Sequence, residues 1–123
     1  MTKTTSAVNV RTEAVRVLRW RGSSHPTEQA IRLQLMQQGV QPYTWTQPAN
    51  FRYPPRSHAH DKVLCCVEGS LEAILPDLNQ RVVLRPGDRL EVPRNVRYAL
   101  IIGARGARCL EFQPPQGAES AKN

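Results

Sequence analysis

The sequence predicts an all-β domain, a small barrel or jelly roll with one N-terminal α-helix packed outside it. Three observations carry this expectation. Short strand-like runs recur along the chain, separated by Pro76-Asp77-Leu78-Asn79, Arg85-Pro86-Gly87-Asp88, Pro93-Arg94-Asn95 and Gly103-Ala104-Arg105-Gly106. Many short strands punctuated by Pro/Gly turns are the pattern of closed or double-layered β folds. One helix-start signature appears, Ser23-Ser24-His25-Pro26 with Glu28 just inside, and serines ahead of a proline cap the first turn. Finally, the apolar run Val63 to Val67 is followed by Gly69 and by Ser70 to Leu75. This reads as two strands of a hairpin about a glycine turn.

In chain order, residues 1–11 are polar and read as an extended or disordered arm, residues 12–113 as one domain, and residues 114–123 as a loose tail. Thr12 to Trp20 alternates, with Arg16 interrupting one parity, which marks an edge strand. A helix over about residues 26–38 follows, in which Ile31 and Leu35 form a narrow buried stripe, Glu28 and Arg32 pair at i,i+4, and Gly39 supplies the stop. Val40 to Thr46 reads as the next strand, Pro48 to Asn50 as a loop, and Phe51 to His60 as the lead into the central hairpin. Arg81 to Leu84, Arg89 to Val92, Tyr98 to Ile102 and Arg108 to Gln113 complete the strands.

Composition narrows the function classes. The chain of 123 residues carries a net charge of +7, almost all from arginine, with Lys3, Lys62 and Lys122 the only lysines. The arginines are scattered, without a basic block or interleaved aromatics, so nucleic-acid binding is the weaker alternative among the readings of this charge. No apolar run approaches the ~20 residues that span a bilayer, and the first residues lack the apolar stretch of a signal peptide, so the cytoplasm is the expected location. Cys65, Cys66 and Cys109 are an odd set without Cys-x-x-Cys spacing, expected to be reduced thiols. No Ser-His-Asp set, phosphate loop or paired-carboxylate motif supports a hydrolase.

His58 and His60 lie at i and i+2 ahead of the apolar run, so in extended chain both imidazoles would face one way. The stretch from Tyr53 to Gly69 resembles the first sequence motif of the cupin superfamily, in which a His-x-His pair, a glutamate and a glycine carry a metal inside a small β-barrel. Gly87 to Tyr98 resembles the second motif step for step, with Asn95 in place of a glycine and Tyr98 in place of the last histidine ligand. Counted back from Gly69 in the superfamily's spacing, the glutamate slot holds Lys62, the second histidine slot His58 and the first histidine slot Arg56. From roughly Trp20 to Phe112 the chain is similar to small bacterial cupins of unassigned function. The likeness rests on Asp61-Lys62-Val63-Leu64, Pro86-Gly87-Asp88-Arg89-Leu90 and Gly106-Ala107-Arg108-Cys109-Leu110-Glu111. The resemblance implies a cupin-like jelly-roll β-barrel and a homodimer, the latter helped by the edge-like first strand.

Two uses of this site follow. Arg56, His58, His60, Lys62 and Tyr98 would line a barrel mouth with donors and positive charge, suited to a small carboxylate or phosphate, with Arg56 offering a bidentate fork. This reading makes the chain a binder of a small anion, without a cofactor, around a decayed metal site. The alternative is a metal-dependent oxygenase or isomerase holding a divalent transition metal on His58, His60 and Tyr98, with Glu91 in support. Against it, Arg56 and Lys62 share the inward parity of His58. A plainer option leaves the same side chains paired with buried carboxylates such as Glu91 or Glu111. Cys66 also shares that parity, and reads as a small core residue before a nucleophile.

Overall fold

Two long antiparallel strands organise the molecule. In the computed structural model, which describes residues 15–21 and 25–114, the elements are β1 (Arg16–Leu18), α1 (Glu28–Gln37), β2 (Tyr43–Gln47), β3 (Arg52–Arg56), β4 (Lys62–Leu75), a 3₁₀ turn (Pro76–Leu78), β5 (Gln80–Leu84), β6 (Arg89–Val92) and β7 (Tyr98–Phe112). The expected arm and tail, and the serines expected to cap the helix, lie outside the described residues. Thr27 caps α1 instead, its Oγ1 accepting the Ala30 N–H at 3.1 Å.

The hairpin expected at Gly69 does not form. β4 runs unbroken through it, and β7 likewise runs through Gly103 and Gly106, where two strands were expected. Gly69 and Gly106 have φ of +74° and +78°, but each supplies a bulge instead of a turn. The β4–β7 register slips between Cys66 and Glu68 and again between Gly69 and Leu71, and a bulge bends a strand without ending it. A Cβ on Gly69 would drive into the Gly106 carbonyl oxygen, so the two bent strands approach closely only because that position is glycine.

Bending lets each long strand serve two layers. β4 pairs with β6 over Lys62–Cys65 and with β5 over Leu71–Leu75. β7 pairs with β3 near its start and with β2 from Ala107 to Glu111. The sheet path β1-β6-β4-β7-β2 does not close on itself among the described residues, so the jelly roll is an open, sandwich-like one. Between the layers lies a core of Leu64, Cys66, Leu71, Leu84, Leu90, Val96, Leu100, Ile102 and Cys109. The opposite parity of β4, Val63, Cys65 and Val67, packs with Leu110 and Phe112 against Ile31 and Leu35 of α1. This is why Val63 to Val67 is apolar without alternation: both faces are buried. Leu33 and Met36 point away from the sheet, 55% and 67% exposed.

Candidate functional site

The site is built where β3, β4 and β7 begin or end together. Pro54 and Pro55 lack the N–H groups that a ladder needs, and the β3–β7 register shifts across them. The shift turns Tyr53 and Arg56 to the same side. Arg56 lies directly across from Tyr98, and its guanidinium sits over the Tyr53 ring at 5.1 Å from the centroid. Arg56 is exposed, and among the described residues no carboxylate pairs with it.

His58 and His60 are in a loop and not on a strand, so the alternation that brought them together in the sequence does not operate. They converge nonetheless, their rings stacked at 5.3 Å and 23°. The β6–β7 turn holds this loop. The Asn95 N–H donates to the His58 carbonyl at 2.8 Å, and the Arg94 N–H donates to Asp61 at 2.8 Å. Asn95 adopts a φ of +67°, the conformation for which asparagine substitutes for glycine in the second motif. His60 donates from Nδ1 to the Asp61 carbonyl at 2.9 Å.

Inside the loop, Lys62 reaches His58 Nε2 at 3.1 Å and Tyr98 Oη reaches the same nitrogen at 3.0 Å. An ammonium can only donate, so Nε2 is the acceptor and His58 is the neutral Nδ1–H tautomer. Burial, then the charges of Lys62 and Arg56, hold the His58 imidazole below its usual pKa. Burial also pushes the Tyr98 phenol up, so it stays protonated.

The sequence offers Glu111 only as one carboxylate with which the site side chains could pair. It is the hub. Its carboxylate takes Lys62 Nζ at 2.7 Å, the Tyr43 hydroxyl at 2.6 Å and the Trp45 indole N–H at 2.8 Å. The Lys62 and Glu111 side chains are only 10% and 9% exposed. Burial raises the Glu111 pKa, but Lys62, Tyr43 and Trp45 outweigh it and hold the carboxyl below its usual range. Tyr43 is pushed up to about 12 by burial and by that carboxylate. A signal was present: Tyr43 and Trp45 share one parity of β2, and Glu111 interrupts the apolar run Cys109 to Phe112. A cleft of about 430 Å³ opens on Tyr43, His60, Lys62 and Glu111 beside Gly39–Gln41. A larger open groove, about 1040 Å³, runs along the two bulges. None of the predicted site residues reaches it, and its Arg108 is engaged by Glu28 at 2.7 Å.

Glu91, expected in support of a metal, is elsewhere, and Cys66 is the core residue the sequence suggested. Glu91 faces Arg16 and Arg89 at 3.2 and 3.1 Å, on the parity of β6 opposite the core residues Leu90 and Val92. Cys66 lies in the core directly across from Cys109, with its thiol turned to the carbonyls of Glu68 and Gly69. The Cys66 thiol and burial raise the Cys109 pKa strongly, and burial raises Cys65 to about 11. None of this favours a thiolate nucleophile.

No family model matches the chain, and no curated protein does. Solved structures do. A DUF861 family protein from Thermotoga maritima superposes with a TM-score of 0.56 at 14% identity, covering 80% of this chain and 98% of the other. A cupin superfamily protein from Desulfitobacterium hafniense gives 0.52 at 16%, covering 79% and 73%. The fold is that of the cupin superfamily. The polyketide cyclase RemF from Streptomyces resistomycificus shares it, with a TM-score of 0.52 at 23% identity over 65% of this chain and 62% of that one.

Cupins that carry a metal hold it on imidazoles and a carboxylate, and the donors here fit one poorly. His58 Nε2 already accepts from Lys62 and Tyr98, Tyr98 is a phenol held above its ordinary pKa, and Glu111 is engaged by three donors. Among the described residues no three His, Cys, Asp or Glu side chains are grouped as a metal would need. No helix among them is long and apolar enough to cross a membrane.

Proposed function

We propose that this cupin-fold chain binds a small anion at the cluster of Arg56, His58, His60, Lys62 and Tyr98, beside the cleft that opens on His60 and Lys62, and does so without a metal. The supporting observation is a hydrogen-bond imbalance. Lys62 and Tyr98 converge on the single lone pair of His58 Nε2, both oxygens of Glu111 are engaged, and Arg56 brings five further donors with no described carboxylate partner. A molecule that fits must bring acceptors. The neutral imidazole adds no opposing negative charge.

The same reading places the protein in the cytoplasm as a homodimer, supported by the three-residue edge strand β1, whose outer side is unpaired among the described residues. The basic charge does not form a nucleic-acid surface in this account. Arg16, Arg19, Arg32, Arg81, Arg89, Arg94, Arg97 and Arg108 each hold a carboxylate.

Elemental analysis of untagged protein, paired with an NMR titration with acetate, tests this function. The expected result is substoichiometric metal together with saturable shifts at His58, Tyr98 and Arg56. Stoichiometric metal that disappears in both His58→Ala and His60→Ala would overturn it in favour of a metal-dependent oxygenase or isomerase.

A further inference from the structure

The cations of this cluster stand in two tiers with different charge balance, and this constrains the ligand beyond its being an anion. The inner tier is Lys62, Glu111, His58 and Tyr98. Its only positive charge is held by a carboxylate at 2.7 Å, and both partners are about nine-tenths buried. The imidazole is the neutral tautomer and the phenol keeps its proton. This tier therefore offers directed N–H and O–H donors but no net charge.

The outer tier is Arg56. It is exposed, it has no carboxylate partner among the described residues, and stacking over Tyr53 limits the conformations its guanidinium samples. Tyr98 joins the tiers, since it is the cross-strand neighbour of Arg56 and reaches His58 at 3.0 Å.

Resting on the anion-binding reading, we propose that the ligand is an oxo- or hydroxy-substituted carboxylic acid, its uncharged oxygen turned inward to Tyr98 and Lys62 and its carboxylate held at the rim by Arg56. A carboxylate driven inward would meet Glu111 at the same ammonium, and like charges sharing one counter-ion repel. A neutral carbonyl or hydroxyl meets no such opposition and supplies the acceptor that Lys62 and Tyr98 compete for. At the rim, one guanidinium matches the two oxygens of a carboxylate in a bidentate fork. A phosphate dianion would want a second uncompensated cation, and Glu111 has already neutralised Lys62.

Calorimetric titration of the full chain with acetate, glycolate, pyruvate, succinate and inorganic phosphate separates the cases. Glycolate and pyruvate should bind at least roughly tenfold tighter than acetate, the step expected of one hydrogen bond inside a buried site. Tyr98→Phe should shrink that difference. Arg56→Gln, at an exposed position, should weaken all the carboxylates by roughly tenfold or more, with Arg56→Lys in between. Phosphate or succinate binding tighter than glycolate, or Arg56→Gln leaving glycolate unchanged, would overturn the two-tier assignment while anion binding itself stood. Absence of binding by every member of the series would overturn the anion-binding reading, and this inference with it.

Discussion

Lys62 stands in the slot where the cupin motif has a glutamate, and Glu111 answers it from the far end of β7. A buried ion pair adds little against an apolar replacement, but breaking one by removing a single partner costs about 3–5 kcal/mol. Lys62→Met should therefore lower stability by about 3 kcal/mol in urea denaturation, and Lys62→Met with Glu111→Leu should recover part of it, since Tyr43 can turn its hydroxyl to water while the Trp45 indole N–H loses its acceptor. His58 gives a second check. Its pKa is depressed in the fold, so its contribution to stability is full above the usual 6.5 and is lost as pH falls through the lower folded value. In an imidazole NMR titration His58 should titrate below 6.5, and higher in Lys62→Met, where the repelling ammonium is gone and Glu111 remains.

At the scale of elements, the helix was legible because Ile31 and Leu35 recur at the helical period, and β2, β5 and β6 because Pro- and Gly-bearing turns bound them. Gly69 and Gly106 were misread. A turn glycine and a bulge glycine both need φ > 0, and nothing local in the sequence distinguishes them; the difference lies in a partner strand many residues away. The consequence is measurable. Gly69→Ala must place a methyl against the Gly106 carbonyl as well as hold a left-handed backbone, and should cost at least about 2 kcal/mol. Gly39→Ala, with the same sign of φ and open space around it, should cost only about 1 kcal/mol. Equal losses in the two denaturation curves would refute the packing account of the bulge.

The site was legible in part for an accidental reason. His58, Lys62 and Tyr98 were assembled by counting along motif slots and strand parity, yet His58 and His60 meet in a loop pinned by Arg94 and Asn95, and Arg56 comes to lie across from Tyr98 and over Tyr53 after the register shift at Pro54-Pro55. Glu111 was legible only as one possible pairing carboxylate, and not as the hub, because its partners, Lys62, Tyr43 and Trp45, come from strands far apart in the chain.

For the whole molecule, the open path from β1 to β2 leaves β1 as a short edge bearing the exposed Val17. Covering such an edge with a second copy is a common remedy. Light scattering should give twice the chain mass, and a monomer at micromolar concentration would count against the homodimer. The account as a whole turns on whether this cupin fold captures an anion with its own side chains or with a metal. The most direct measurement is calorimetric titration of chelator-treated, untagged protein with glycolate, repeated after adding one equivalent of Zn²⁺ or Mn²⁺. The same affinity in both titrations, weakened by Arg56→Gln, is the predicted result. Binding heat that appears only once the metal is returned would contradict it.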